Sequence, residues 1–245
     1  MSRQELLSPE GLRIDGRRAN ELRRTVCKQS VLGKADGSAY YEQGNTKVLA
    51  AVYGPREPRI KSAASFDRAT IRVEFNVAPF STSERRKRNR GDKRILEIAS
   101  AIKQTFEAAI ISTVFPRSQI DIYLHLLQDD GGNAQACINA TTLALIDAGI
   151  PMTDYICACS AGFIDETPVL DLNQVEEASF ETPDLTIAIM PRSGKVTLLQ
   201  MESRLQVDRL EDTMALASEG CKQIHTIMDE VVRENTQDLV TKYGD

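Results

Sequence analysis

Two histidines in 245 residues, and no CxxC anywhere, leave little from which to build a zinc site. The five cysteines are an odd number (Cys27, Cys137, Cys157, Cys159 and Cys221). They read as reduced, small, mostly buried residues of a cytosolic or nuclear protein, not as a disulfide framework. No stretch approaches the roughly 18 uncharged apolar residues of a membrane span. The first residues, MSRQELLSPEGLRIDGRR, lack the apolar core of a signal peptide. GxSxG, HExxH and GxxxxGKS or GxxxxGKT are all absent, which removes the common signatures of hydrolases, metalloproteases and nucleotide-binding P-loops. Aromatics make up only 5% of the chain, and Phe80 is the one beside the main basic run, so base stacking is not implied.

Positive charge is in deficit, with a net charge of −5, which excludes a general nucleic-acid coat. Its distribution is uneven. From Arg85 to Arg94 seven of ten residues are basic and one is acidic; from Asp165 to Asp184 there are seven acids and no base. Charge separated this sharply predicts one local basic patch on an acidic body.

What is present is a mixture of both periodicities. SAYYEQ (38–43) and TKVLAAVYG (46–54) flank Gly44-Asn45 and predict a hairpin. IRVEFNV (71–77) and QIDIYLHLL (119–127) alternate as half-buried strands. Ile95, Ile98, Ala99, Ile102, Phe106 and Ile110 form a helical stripe that Pro116 and Arg117 are expected to end. From Asn133 a buried helix of small residues follows, with Gly149 and Pro151 beyond its end. YICACSAGFID (155–165) predicts a strand, and LTIAIM (185–190) with KVTLLQM (195–201) a second hairpin around PRSG. Val207, Leu210, Met214, Ala217, Cys221, Ile224, Met228 and Val231 mark a long last helix. Strands clustered with helices predict an α+β fold whose helices cover sheets, dividing near residue 150 around one shared core.

Three constellations can carry chemistry. The basic run is either a solvated surface loop or, leading into a helix at Lys93-Arg94, a seat for a phosphodiester backbone. DDGGNAQA (129–136) is either a tight strand–helix turn or an anion site, since amides at Asn133 and Ala134 can face an anion while neither side chain supplies charge. The acidic segment is either an exposed loop or a set of carboxylates for proton transfer or a hard cation. No metal and no cofactor is assigned from it.

GLRIDGRRANELR, ADGSAYYEQGNTKVLAAVYGPREP, the long run from Pro116 to Met152 and LDLNQVEEA resemble the ribonuclease PH family, and within it the ring subunits of the RNA exosome. The resemblance runs from about residue 10 to about 235. It implies a duplicated ββαβα fold, with a first half at 10–150 and a second at 151–240. It implies a hetero-oligomeric ring of ribonuclease PH-like subunits around a channel for single-stranded RNA. RNA-binding cap subunits and a separate hydrolytic exoribonuclease are the further partners, and the location is nucleus, nucleolus and cytoplasm. Catalytic relatives cleave RNA from its 3′ end with inorganic phosphate. Carried over, Arg94 matches the helix-start arginine that holds phosphate, with Lys93 beside it, and Gly131 and Gly132 match the turn glycines. Asn133 stands for an expected threonine and Ala134 for the phosphate-binding arginine. Glu177 replaces the first of two aspartates that act at the scissile bond; Asp184 stands one residue from the second. Lys61 and Ser62 match a channel-lining loop, and Arg85 and Arg86 extend the RNA-binding strip.

An Arg→Ala exchange in a phosphate site removes a charge-assisted pair of roughly 1.5–3 kcal/mol. If it matches the loss of an oxyanion donor, a rate loss of about 10²-fold or more follows. The expectation from sequence is therefore a non-catalytic ring subunit with a relic phosphate turn (Arg94, Gly131, Gly132, Asn133, Ala134) and relic carboxylates (Glu177, Asp184). The alternative is an active, phosphate-dependent 3′→5′ exoribonuclease.

Overall fold

A computed structural model describes residues 6–8, 10–58, 65–85, 92–164, 167–179, 183–201 and 203–243. The first sheet is built from β1 (Thr25–Gln29), β2 (Gly37–Gln43), β3 (Thr46–Arg56), β4 (Thr70–Val77) and β5 (Gln119–Gln128), in the order β1-β2-β3-β5-β4. The Gly44-Asn45 turn closes β2 on β3 with Gln43 opposite Thr46, as the sequence predicts. β4 lies parallel to β5, a pairing that needs a long crossover. Helix α1 (Lys93–Ala109) supplies it, turning Ile102, Phe106 and Ala109 into the core.

α1 stops well before Pro116. Ile110 leaves the helix in an extended conformation, its amide still donating to the Phe106 carbonyl, and bridges to Met152. The amide of Ile111 then donates to the Pro151 carbonyl at 3.0 Å. Tertiary pairing ends this helix, not proline, and a short 3₁₀ turn (Ser112–Val114) fills the remaining interval.

The second sheet contains β6 (Cys157–Ile164), β7 (Thr167–Leu170), β8 (Asp184–Met190) and β9 (Lys195–Met201), all antiparallel in the order β7-β6-β8-β9. Between β7 and β8 the acid-rich stretch holds one turn of helix, α3 (Gln174–Glu177). Asn173 starts it with a capping box: its side chain accepts the Glu176 amide while the Glu176 carboxylate accepts the Asn173 amide. The last helix, α4 (Val207–Tyr243), runs for 37 residues and covers β6, β7 and β8.

Helix α2 (Asn133–Asp147) is the shared element, packed on β2 and β3 from one half and on β6 and β8 from the other. Eleven of its fifteen residues are buried, which explains its uniformly small and aliphatic sequence. Its buried polar groups are paired: Asn139 brackets Ala158, accepting its amide at 2.8 Å and donating to its carbonyl at 3.0 Å, and Thr142 donates to the Ile156 carbonyl at 2.8 Å. One continuous hydrophobic core spans both sheets, and all five cysteines lie buried and unpaired.

β2 approaches α2 so closely at Gly37 that a Cβ there would run into the Ala144 carbonyl oxygen and the Ala148 amide. Gly37→Ala must push strand from helix, and we expect a loss of about 1–3 kcal/mol in urea denaturation, the usual cost of overpacking.

Candidate functional site

β5 carries the chain out of the core to Asp129 and Asp130, and the next two residues, Gly131 and Gly132, reverse it into α2. Both glycines have left-handed backbone, Gly131 at φ 81° and Gly132 at φ 67°. A side chain at Gly131 would stand 2.7 Å from the Asn173 and Gln174 backbone, and one at Gly132 would meet Gln135 and Arg23. The turn therefore presses directly on the start of α3. The Gln174 amide donates to the Asp130 carbonyl at 3.1 Å.

Glu177 completes this contact, because its Oε1 accepts the Gly132 amide at 2.6 Å. Gly132 is the N-cap of α2 and has no side chain to offer, so a carboxylate from α3 takes the position of a capping anion. Glu177 is exposed as a residue, yet its carboxyl end is sunk into the turn. That burial, with the nearby charges of Asp184 and Asp129, outweighs the Gly132 hydrogen bond and Arg23 and pushes its pKa up to about 7. Asp184 opens β8, half-buried, its amide donating to Ser203 Oγ at 3.0 Å. The fold thus brings together two acids that are seven residues apart in sequence. One is poised between its charged and neutral forms near neutrality.

Asn133 and Ala134 are half-buried on the first turn of α2. Asn133 Nδ2 donates to Asp129 Oδ1 at 2.8 Å, which fixes the amide orientation and leaves Oδ1 buried with no partner among the described residues. Asp129 donates its own amide to the Ser81 carbonyl at 2.9 Å, so the start of the basic loop lies beside the turn. Arg85, Lys93 and Arg94 are all exposed. Asp92 caps α1 and accepts the Arg94 amide at 3.1 Å, so that backbone donor, expected to be open for phosphate, is already used. Lys61, Ser62 and Arg86 lie outside the described residues.

Sequence reading missed the charges behind the turn. Arg23 is buried and spends its whole guanidinium there: Nε and Nη2 on the Asp171 carboxylate at 3.0 and 2.7 Å, Nη1 on the Asp130 carbonyl at 2.7 Å and Nη2 on the Gly131 carbonyl at 3.3 Å. Gln135 donates to the same carboxylate at 2.8 Å, and Arg17 donates to the Asp171 carbonyl at 3.1 Å. Arg13 pairs with Glu176, Nε to Oε1 at 2.8 Å, with both side chains fully buried. Burial works to raise the Asp171 carboxyl, but the charge and hydrogen bonds of Arg23 hold it below its usual value. The available signal was complementary charge: four arginines within GLRIDGRRANELR against a segment with acids and no base.

Set beside known proteins, the sequence matches both domain models of one family: 3′ exoribonuclease family domain 1 (ribonuclease PH) over residues 21–151 and domain 2 over residues 154–220. This chain belongs to the ribonuclease PH family of 3′ exoribonucleases. Exosome complex component RRP41 of Mus musculus is 52% identical over 98% of both chains. SKI6 of Saccharomyces cerevisiae, also named an exosome complex component, is 43% identical over 98% of both, and Rrp41 of Thermococcus onnurineus is 44% identical over 98% of this chain and 96% of its own. The crystal structure of rice Rrp46 superposes with a TM-score of 0.79 at 26% identity, covering 90% of this chain and all of that one.

Membership corrects one expectation. Reading Ala134 as the loss of activity predicts a dead homologue, whereas matches to the 3′ exoribonuclease models along both halves, with Rrp41 relatives at this identity, point to a phosphorolytic 3′→5′ exoribonuclease. The physical reason lies in the carboxylates. Residue type and spacing do not show that the Glu177 carboxyl sits on the Gly132 amide within the field of the Asp184 charge. Among the described residues no three His, Cys, Asp or Glu groups converge as metal ligands.

Asp171→Asn leaves the Arg23 guanidinium buried without its counter-charge, and we expect a loss of about 3–5 kcal/mol in urea denaturation. With Asp171 depressed below its ordinary value of 3.8, the wild-type advantage is complete above that pH and disappears as pH falls through the folded value.

Proposed function

We propose that this chain is a phosphate-dependent 3′→5′ exoribonuclease subunit of an exosome ring. The observation that carries the reading is the meeting of Glu177, Asp184 and the Gly132 amide at one end of α2. In the reaction an oxygen of inorganic phosphate attacks the phosphorus of the 3′-terminal phosphodiester. A new P–O bond forms, the bond to the 3′ oxygen of the preceding ribose breaks, and a nucleoside 5′-diphosphate leaves. The departing 3′ oxygen needs a proton. Glu177, its pKa pushed up to about 7, can hold one near neutral pH and is the donor. The neighbouring charge of Asp184 raises its proton affinity.

Arg85, Lys93 and Arg94, all exposed, are the described basic residues that lead RNA toward the turn. Contacts of this kind address the phosphate backbone and not the base, which suits an enzyme that must accept any sequence. Because Ala134 brings no charge, Arg94 or a residue from a neighbouring subunit supplies the cation opposite the attacking phosphate. Edge strand β9 exposes Val196, Leu199 and Met201 at 48%, 50% and 41%, an apolar border that suits a ring neighbour of the same family. Cap subunits that admit RNA and a separate hydrolytic nuclease fit the same path, in nucleus, nucleolus and cytoplasm.

Incubating the assembled ring, without any hydrolytic nuclease, with RNA and phosphate is expected to release nucleoside diphosphates. Asp184→Ala should abolish that release, while Ala134→Arg should raise kcat/KM for phosphate by about 10- to 100-fold, the worth of a restored charge-assisted pair. No nucleoside diphosphate at any phosphate concentration would overturn the reading. A second test follows from the proton. Since the neutral form prevails below the Glu177 pKa of about 7, kcat is expected to fall as pH rises through that value, and Glu177→Gln should give a low rate that no longer follows this titration.

A further inference from the structure

The peptide group between Gly131 and Gly132 is planar and trans, so its carbonyl and its N–H point in opposite directions. On one side the carbonyl is held twice, by Thr46 Oγ1 at 2.7 Å and by Arg23 Nη2 at 3.3 Å. On the other side the N–H reaches Glu177 at 2.6 Å. The preceding carbonyl, of Asp130, is held by Arg23 Nη1 at 2.7 Å. Thr46 is fully buried as the first residue of β3, and its hydroxyl also accepts the Asp130 amide at 3.3 Å and Arg23 Nη1 at 3.4 Å. Its single proton is therefore committed to the Gly131 carbonyl.

Nothing within the turn itself enforces this orientation. A glycine on each side of a peptide group lets it rotate end over end without the penalty a Cβ imposes. In the rotated state the Gly132 N–H would face the donors of Arg23 and Thr46. The Gly131 carbonyl would face Glu177, setting acceptor against acceptor. Fixing the carbonyl thus fixes where the amide points.

We propose that Arg23 and Thr46 are positioning residues that lock the Gly131–Gly132 peptide so that its N–H holds the Glu177 carboxyl group in place for the reaction. Neither touches substrate. Arg23 cannot serve as the missing phosphate cation, because Asp171 and two turn carbonyls consume its guanidinium. Its part is to aim a backbone donor. The kinetic consequence rests on the phosphorolytic reading above; the orientation of the peptide does not.

The test uses the full chain with Thr46→Val, which keeps the shape and removes the hydroxyl, Thr46→Ser, which restores it, and Arg23→Lys, which keeps charge but loses the fork. Amide hydrogen exchange of Gly132 is read against ladder amides of β2 and β3. Thr46→Val and Arg23→Lys are each expected to speed Gly132 exchange at least 10-fold with the ladder unchanged, and Thr46→Ser to return it to wild type. In the phosphorolysis assay the same two variants should lower kcat at least 10-fold and move its fall to higher pH, because the amide bond that favours charged Glu177 is lost, and leave KM for RNA in place. Unchanged Gly132 exchange in both variants, or faster exchange with the wild-type pH dependence of kcat retained, would overturn the lock. If Thr46→Val loses ladder protection, Arg23→Lys decides the question. A wild-type ring that makes no nucleoside diphosphate counts against phosphorolysis, and the exchange measurement still judges the lock.

Discussion

The ion pair of Arg23 and Asp171 is the constraint on which the rest depends. Both side chains are dry, and a charge taken from water is tolerated only when its hydrogen-bonding capacity is met. Here each partner is over-committed: the guanidinium also serves two turn carbonyls, and the carboxylate also receives Gln135 and the Arg23 amide. Three distant pieces of chain meet on this pair. They are the arginine-rich segment before β1, the turn after β5 and the segment after β7. With Arg13 on Glu176, the pair fastens α3 to the first half and so delivers Glu177 to the Gly132 amide.

Such a hub separates support from chemistry. Asp171 and Glu176 are sealed and neutralised by arginines, while Glu177, the next residue along, is left to respond to proton concentration. A single helical turn sorts the two acids, since successive residues point about 100° apart and only one can face the core. Glu176 turns inward to Arg13 and Glu177 outward to the turn.

Local pattern sufficed wherever neighbours in sequence determine the structure. The Gly44-Asn45 hairpin, the alternation of β4 and the small-residue run of α2 were legible for that reason. The end of α1 was not, because Met152 and Pro151, some forty residues on, decide it. β1, β7 and α3 escaped too, being short and without a clear period. At the candidate site, the glycines and the two acids were legible, and their meaning was not. Counting substituted positions made Ala134 decisive. The family matches reverse that judgement, and what the structure adds is a contact across 45 residues, from Gly132 to Glu177, and a salt bridge across 148, from Arg23 to Asp171. Neither spacing leaves a trace in composition or periodicity.

Helix α2 has unequal freedom along its length. From Gln135 to Leu145 it is enclosed by two sheets, and any change of volume there disturbs both halves. Asn133 and Ala134, at its mouth, are only half enclosed. Asn133 is tied to Asp129, but Ala134 can change with little penalty to the scaffold. The turn's grip on an oxyanion can thus be retuned at position 134 while the architecture stays fixed.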